Sequence, residues 1–320
     1  MVVRFWGTRG SLPVALSGGA LREKIKRALL QADGRRFDTE EALQRFIDEE
    51  LDFPTRHGYG GNSACVEIAG GQDYLLCDMG SGLRCFGQQV MKEHGPGNPK
   101  AYNFFMSHTH WDHIMGFPFF PPAYVPGNRI RIHGCHPGSV LKEAFYRQHS
   151  TPCFPVNWKQ LSADIEFVEL QPDRFYEIDG FSVKAKLQPH PGASYGYRFE
   201  KDGKAIVYST DAEHKLASEA ETEEMVDFYR NADLVIFDAM YSLADMLMIK
   251  EDWGHSSNVT GVDLCLRANA KHLSMFHHEP AYDDDKIHRV LQETIRYKEI
   301  VREGSPLKIS TAYDGLAIEV

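Results

Sequence analysis

One short segment of the chain carries an unusual density of metal-binding side chains. Three histidines and one aspartate lie within six residues: His108, His110, Asp112 and His113. Imidazole and carboxylate groups bind zinc, iron and manganese. In an extended segment His108 and His110 point the same way and can share one ion, whereas Asp112 and His113 lie past a turn and can hold a second. The alternative is a polar turn with coincidental histidines, and the density of ligands argues against it.

Three further polar residues each follow an apolar run, where a buried strand would end: His190, Asp211 and His277. Each has an ordinary alternative, namely a loop histidine, a helix N-cap aspartate and a surface histidine. His278 lies beside His277, and the sequence leaves open which of the two is a ligand. Two ions need more ligands than one segment supplies, so these residues are candidates to complete a dinuclear site.

The elements that must position these residues are strands covered by helices. Short apolar runs alternate with amphipathic segments in both halves of the chain, which predicts an α/β fold. Residues 1–320 are expected to form a single domain, with 20–51 as a helical insertion. The insertion shows two amphipathic stripes joined by a basic turn, which predicts a helical hairpin. It is interpreted as a packed surface excursion or, alternatively, as a lid or a dimer contact.

The order of the candidate ligands resembles that in the metallo-β-lactamase superfamily. The closest resemblance is to its ribonuclease Z-like branch, with cyclic-phosphate phosphodiesterases as the nearest model. It rests on His-x-His-x-Asp-His at 108–113, on the later His, Asp and His, on Asp78 and on the stretch 195–199. The resemblance covers most of the chain, from Val2 to about His288, outside the insertion. It implies a four-layered αββα sandwich with its site at the edge between two sheets.

The resemblance divides the ligands into two sets with one bridge. It implies one ion held by His108, His110 and His190, another held by Asp112, His113 and His277, and Asp211 bridging them. Zinc is the expected metal, with manganese and iron as alternatives. Two such ions, about 3.5–4 Å apart, share a nucleophilic hydroxide in two-metal hydrolases. The predicted activity is hydrolysis of a small or cyclic phosphodiester or a short nucleotide.

The displaced alkoxide needs a proton from a group that is not a metal ligand. Ribonuclease Z-like enzymes pair an acidic residue with a histidine at places similar to Asp238 and His255 here. The alternatives are a strand-end carboxylate and a histidine at the start of a helix. The predicted catalytic residues are therefore Asp112, His255 and Asp238. Here the acid is Asp, where the transfer-RNA-processing members have Glu.

Three residues are candidates for contacts with the substrate: Asn62, His214 and His278. Asn62 follows the Gly60-Gly61 turn, whose N–H groups could approach a phosphate. A plain tight turn is an equally good interpretation of that segment. His214 could equally be a solvated loop residue.

The overall charge bears on the substrate. The chain has 45 acidic and 35 basic residues and a formal net charge of −10, the opposite of the balance usual for a protein that grips a long polyanion. No Gly/Pro-rich arm of the transfer-RNA-processing type is evident. A small phosphodiester or nucleotide-like substrate is therefore expected rather than transfer RNA. A homodimer through the insertion is a further expectation.

Cysteine usage and hydropathy bear on the compartment. Six cysteines occur without a Cys-x-x-Cys pair, which predicts reduced, mostly buried thiols. The first residues lack the apolar stretch of a signal peptide, and no other run is long enough to span a bilayer. A cytoplasmic location without membrane contact is expected. Two other functions remain open: hydrolysis of a lactone, thioester or amide by the same metals, and a non-enzymatic binding or sensor role.

Overall fold

The structure is a computed structural model that describes residues 1–216, 218–250 and 252–320. Within these ranges fourteen strands are formed: β1 (Val2–Gly7), β2 (Cys65–Ala69), β3 (Tyr74–Cys77), β4 (Ala101–Phe105), β5 (Arg129–Gly134), β6 (Asp164–Glu169), β7 (Phe175–Ile178), β8 (Phe181–Gln188), β9 (Ser194–Lys201), β10 (Lys204–Ser209), β11 (Leu234–Asp238), β12 (His272–Phe276), β13 (Lys308–Thr311) and β14 (Ala317–Glu319).

The same ranges contain ten α-helices: α1 (Gly18–Gln31), α2 (Glu40–Arg45), α3 (Phe53–Arg56), α4 (Gly82–His94), α5 (Trp111–Ile114), α6 (Gly138–Gln148), α7 (Glu219–Tyr229), α8 (Leu243–Asp245), α9 (Asn258–Arg267) and α10 (Asp284–Val301). Short 3₁₀ turns lie at Phe117–Phe119, Pro121–Tyr124 and Trp158–Gln160, and π-helical turns at Phe46–Glu50 and Met246–Lys250.

The strands form two seven-stranded sheets, in the orders β14-β1-β2-β3-β4-β5-β6 and β13-β12-β11-β10-β9-β8-β7. In the first sheet β3 to β6 are parallel to one another, and in the second β10 to β13 are parallel. β8 runs antiparallel to β9, and β9 runs antiparallel to β10, so β8 and β10 point the same way. The carboxyl ends of parallel strands lie at the same edge of a sheet, where α/β proteins usually carry their sites.

The central strands of the sheets, such as β11 and β12, are buried on both faces, which gives the fold its layers. In β10, Ile206 and Tyr208 belong to the apolar core between the two sheets, whereas Val207 packs with α7 and α9. The outer face of the first sheet packs against α4 and α6 through a separate apolar core. The predicted four-layered αββα sandwich is therefore confirmed.

Residues 20–51 contain most of α1, all of α2 and the π-helical turn at Phe46–Glu50, and α1 is attached by its polar face. Lys24 forms an ion pair with Asp284 at 2.6 Å, and Arg27 donates two hydrogen bonds of 2.8 Å to Asp285. The apolar stripe of α1 faces solvent: Leu21 is 48%, Ile25 52% and Leu29 67% exposed. α1 therefore meets the body through the acidic first turn of α10, and its apolar stripe lies outside that contact.

The remaining expectations from composition concern thiols and membranes. All six cysteines are free, and Cys65, Cys77, Cys135 and Cys265 are buried. Among the helices that the structure describes, none is both long enough and apolar enough to cross a membrane.

Candidate metal centre

The seven candidate ligands lie on segments that leave the carboxyl ends of strands. The segment after β4 carries His108 and His110, and His110 is the N-cap of the one-turn helix α5, which places Asp112 and His113 on its buried side. The other three follow β8, β10 and β12: His190, Asp211 and His277. The structure therefore brings together all seven side chains that the sequence singled out.

The first group of ligands comprises His108, His110, His190 and Asp211, whose donor atoms lie within 4.8 Å of one another. His190 Nε2 lies 3.1 Å from His110 Nδ1. Oδ2 of Asp211 lies 3.6 Å from His108 Nε2 and 3.9 Å from His190 Nε2. Three imidazoles and one carboxylate oxygen thus surround one point.

The second group comprises Asp112, His113 and His277, again within 4.8 Å. Asp112 Oδ2 lies 3.1 Å from His113 Nε2 and 3.3 Å from His277 Nε2. The other carboxylate oxygen of Asp211, Oδ1, lies 3.2 Å from both of these nitrogens. Asp211 thus presents one oxygen to each group, which is the arrangement of a bridging ligand.

The contacts within the groups fit cations better than they fit hydrogen bonds. The Nε2 atoms of His113 and His277 lie 3.3 Å apart, and both face Asp112 Oδ2 and Asp211 Oδ1, so four possible ligand atoms converge on one point. His108 Nε2 is buried and has no hydrogen-bond partner in the described part of the chain. Histidine nitrogen with carboxylate oxygen is a donor set that suits divalent transition metals. The residues therefore fit a pair of divalent ions.

The charges in the cluster favour cations as well. Burial alone would raise the pKa of Asp211, but His113 and His277 hold it well below its usual range. Burial lowers the pKa of His108 and of His190, although Asp211 opposes the shift in both. Asp211 is therefore ionised while His108 and His190 are neutral, which is the state that a metal requires of its ligands. Burial would lower the pKa of His113, but Asp112, Asp211 and Asp78 raise it well above its usual value, so a metal bound there would displace a proton from His113.

Hydrogen bonds behind the ligands fix their orientation. Asp78 accepts 2.7 Å bonds from His113 Nδ1 and from the Tyr208 hydroxyl, and it also accepts the backbone N–H of Ser107 at 2.8 Å. His113 Nε2 is thereby directed at the cluster, as in other metal sites where a carboxylate orients a histidine. Asp78 was expected from the resemblance. Ser107 and Tyr208 were missed, because single polar residues within apolar runs have no spacing that would reveal them.

The backbone is constrained where three residues of the site leave their strands. Asp78, Asp211 and His277 have φ angles of 59°, 48° and 62°, in the left-handed region that non-glycine residues rarely adopt. Such strained residues are concentrated at functional sites. Gly10 is needed for a related reason, since a Cβ atom there would lie 2.7 Å from the His277 ring.

His255 and Asp238 lie beside the cluster and form a pair. His255 Nδ1 lies 2.8 Å from Asp238 Oδ2, and Asp238 is fully buried. Burial disfavours the imidazolium, but the Asp238 carboxylate outweighs it and raises the pKa of His255 to about 9. A ligating atom of His255 lies within 4.8 Å of those of Asp211 and His277. The two predicted residues are thus close enough to act at the site, and their catalytic role stays a prediction.

The three candidates for substrate contacts have other partners. The N–H groups of Gly61 and Asn62 donate to Asp314 at 3.0 and 2.9 Å, as does the Asn62 side chain at 3.1 Å. These donors are thus engaged by a carboxylate rather than left for a phosphate. His278 is buried with Nε2 2.8 Å from the Ala312 carbonyl oxygen, so His277 is the one that faces the cluster. His214 is buried too, with its ring 5.9 Å from that of Phe237.

Comparison with known proteins agrees with this geometry. The model of the beta-lactamase superfamily domain matches residues 74–278, more than half of the chain. A ribonuclease Z of Thermoplasma acidophilum is 23% identical, over 71% of this chain and 85% of that protein.

Solved structures resemble the whole chain. The metallo-beta-lactamase fold protein YhfI of Bacillus subtilis superposes with a TM-score of 0.64 at 16% identity, over 100% of this chain and 98% of its own. A diphosphatase from the PhnP family gives 0.60 at 18% identity, over 100% and 97%. At these identities the likeness concerns the fold.

Proposed function

Since this chain belongs to the metallo-β-lactamase superfamily, in its ribonuclease Z-like branch, we propose that it is a dinuclear metal-dependent phosphodiesterase. The observation that carries the proposal is Asp211, whose two oxygens face two separate groups of ligands. A carboxylate shared in this way is the feature that distinguishes a two-metal site from a single site with spare histidines nearby.

Each part of the site has a task in this proposal. His108, His110 and His190 would hold one ion, Asp112, His113 and His277 would hold the other, and Asp211 would contribute one oxygen to each. Bound ions supply an activated water and neutralise negative charge on phosphoryl oxygens. With Nδ1 engaged by Asp238, the Nε2 atom of His255 holds the proton that the leaving oxygen needs. Asp238 positions His255 and keeps it protonated.

The substrate that we propose is a small or cyclic phosphodiester or a short nucleotide. The acidic chain, at −10, repels a long polyanion. Two aromatic side chains close in sequence to the ligands, Trp111 and Phe119, are each 57% exposed and could stack on a base. RNA is the second candidate, because relatives such as the Thermoplasma acidophilum protein carry the name ribonuclease Z.

A substrate screen tests the proposal. The zinc- or manganese-loaded protein is expected to hydrolyse bis-para-nitrophenyl phosphate and nucleoside 2′,3′-cyclic phosphates. It is expected to be slower on a transfer RNA precursor and inactive on lactones and thioesters. Hydrolysis of a lactone or thioester without any diester would reassign the chemistry, and bound metal without any hydrolysis would favour a sensor.

We further propose that the exposed stripe of α1 is a contact with a second copy of the chain. Replacing Ile25 and Leu29 by lysine removes apolar area that would be buried in a dimer. The double variant is expected to sediment as a monomer where the unchanged protein sediments as a dimer. Ile300 and Val301, 73% and 49% exposed near the end of α10, provide a matched control when both are replaced by lysine. An unchanged mass in both variants would contradict the contact.

A further inference from the structure

A buried carboxylate lies behind the metal ligands and ties three segments together. Glu213 is 7% exposed, and its two oxygens accept the backbone N–H groups of Asp252 and Gly254, each at 2.9 Å. Its own N–H donates to the carbonyl of Pro189 at 2.8 Å, just before His190. A carboxylate that accepts two backbone N–H groups makes strong, charge-assisted hydrogen bonds.

The loop held by Glu213 contacts one metal ligand and carries the proposed proton donor. The carbonyl oxygen of Gly254 accepts a 2.8 Å bond from His190 Nδ1, which fixes the proton on Nδ1 and leaves the Nε2 lone pair for a metal. His255 is the next residue, and it bonds Asp238. The backbone of Gly254 lies close to the His190 ring, since a Cβ atom at position 254 would lie 2.7 Å from His190 Nδ1. The φ angle of Gly254 is +84°, which also favours glycine there.

We propose that Glu213 is a positioning residue that sets the metal affinity of the His108–His110–His190 group by holding Gly254 against His190. The inference rests on the proposed function only for the identity of His190 as a ligand. The other group is oriented differently, since His113 is held by Asp78 and Asp112 by the backbone N–H of Ser11 at 2.9 Å. Loss of the Glu213 carboxylate should therefore weaken one metal equivalent and spare the other.

Zinc titration against a chromophoric chelator measures the two equivalents separately and needs no turnover. In Glu213→Gln the amide oxygen can replace only one of the two acceptors, and in Glu213→Ala both are lost. The Kd of one equivalent is expected to rise about 10-fold in the Gln variant and about 100-fold in the Ala variant, the range found when partners behind metal ligands are removed. The Kd of the other equivalent should not change.

Asp179 gives a matched control. It accepts the N–H groups of Gln72 and Asp73 at 3.1 and 2.9 Å, the same chemistry at the opposite edge of the sheets. Asp179→Asn should leave the Kd of both zinc equivalents unchanged. A rise in Kd that appears in the Glu213 variants and in Asp179→Asn alike would indicate a general loss of stability.

Two results would overturn the proposal: unchanged affinity for both equivalents, or equal weakening of both. Circular dichroism shows whether each variant is folded, and if Glu213→Ala is not, the isosteric Gln variant decides the question alone. Failure of the proposed function is a separate outcome. If the protein binds two zinc ions, changes its zinc affinity in the Glu213 variants as described and hydrolyses no diester, the role of Glu213 is supported and the proposed phosphodiesterase activity is wrong.

Discussion

Asp211→Ala is expected to lower the occupancy of both metal sites and to abolish diester hydrolysis. The reason is that Oδ1 lies 3.2 Å from two nitrogens of one group while Oδ2 lies 3.6 Å from His108 of the other. Loss of metal assistance worth several kcal/mol corresponds to a rate decrease of about a thousand-fold or more. Elemental analysis of metal-saturated protein should fall from about two equivalents per chain toward none.

Asp233 provides the control for this substitution. Its carboxylate accepts the backbone N–H of Ala205 at 2.9 Å and pairs with Lys204 and Lys271, at the beginning of β11 and far along the sheet from the ligands. Asp233→Ala should keep both metals and the activity. If Asp211→Ala retained either ion at full occupancy, its assignment as the shared ligand would be wrong.

His255→Ala is expected to keep both metals and to lose activity in proportion to the basicity of the leaving group. Removal of an acid–base group costs about 10²–10⁴ in rate. The full loss should appear with a nucleoside 2′,3′-cyclic phosphate, whose leaving alkoxide needs a proton. With bis-para-nitrophenyl phosphate the loss should be much smaller, because nitrophenolate leaves without one. Steady-state rates on the two substrates, with metal content measured in parallel, check this prediction.

If His255 is the general acid, the rate of hydrolysis must depend on pH. A general acid must be protonated, so kcat on the cyclic phosphate should fall as the pH rises through the pKa of His255. The Asp238 carboxylate raises that pKa to about 9 against the effect of burial, and nearby cations would lower it, so the alkaline limb is expected at or below pH 9. Equal losses on the two substrates, or loss of metal, would return His255 to a structural or ligand role.

The ligands could be found from the sequence because four of them lie within six residues and each of the other three ends an apolar run. Strands that are buried on both faces appear in the sequence as short continuous apolar stretches. A polar residue directly after such a stretch therefore stands out as a candidate for a functional role. The topology then follows from parallel strands, which bring His190, Asp211 and His277 to one edge. The division into two groups needed the resemblance, since spacing alone does not say which ligands face which ion.

Other elements gave weak signals. β9 (Ser194–Lys201) was noted only as part of the resemblance, because Arg198 and Glu200 interrupt its apolar pattern. α7 (Glu219–Tyr229) was missed although its buried residues Thr222, Met225, Val226 and Tyr229 have helical spacing, because this stripe is only two turns long and begins with a polar residue. β13 and β14 are short strands that require pairing partners from distant parts of the chain.

The sequence could not predict how the insertion is attached to the body or what the Glu213 carboxylate contacts, and here the reason is different. Both depend on charged groups that meet only in three dimensions: Lys24 with Asp284, and Glu213 with the N–H groups of Asp252 and Gly254. Hydrophobic periodicity shows which face of a helix is apolar, but it does not show what a buried carboxylate will contact.

Anomalous diffraction at the zinc edge, from crystals of the zinc-saturated protein, tests the central claim most directly. The account predicts two peaks per chain, one among His108, His110 and His190 and one among Asp112, His113 and His277, with Asp211 between them. A single peak, or two peaks that do not both lie next to the Asp211 carboxylate, would contradict the dinuclear site on which the proposed activity rests.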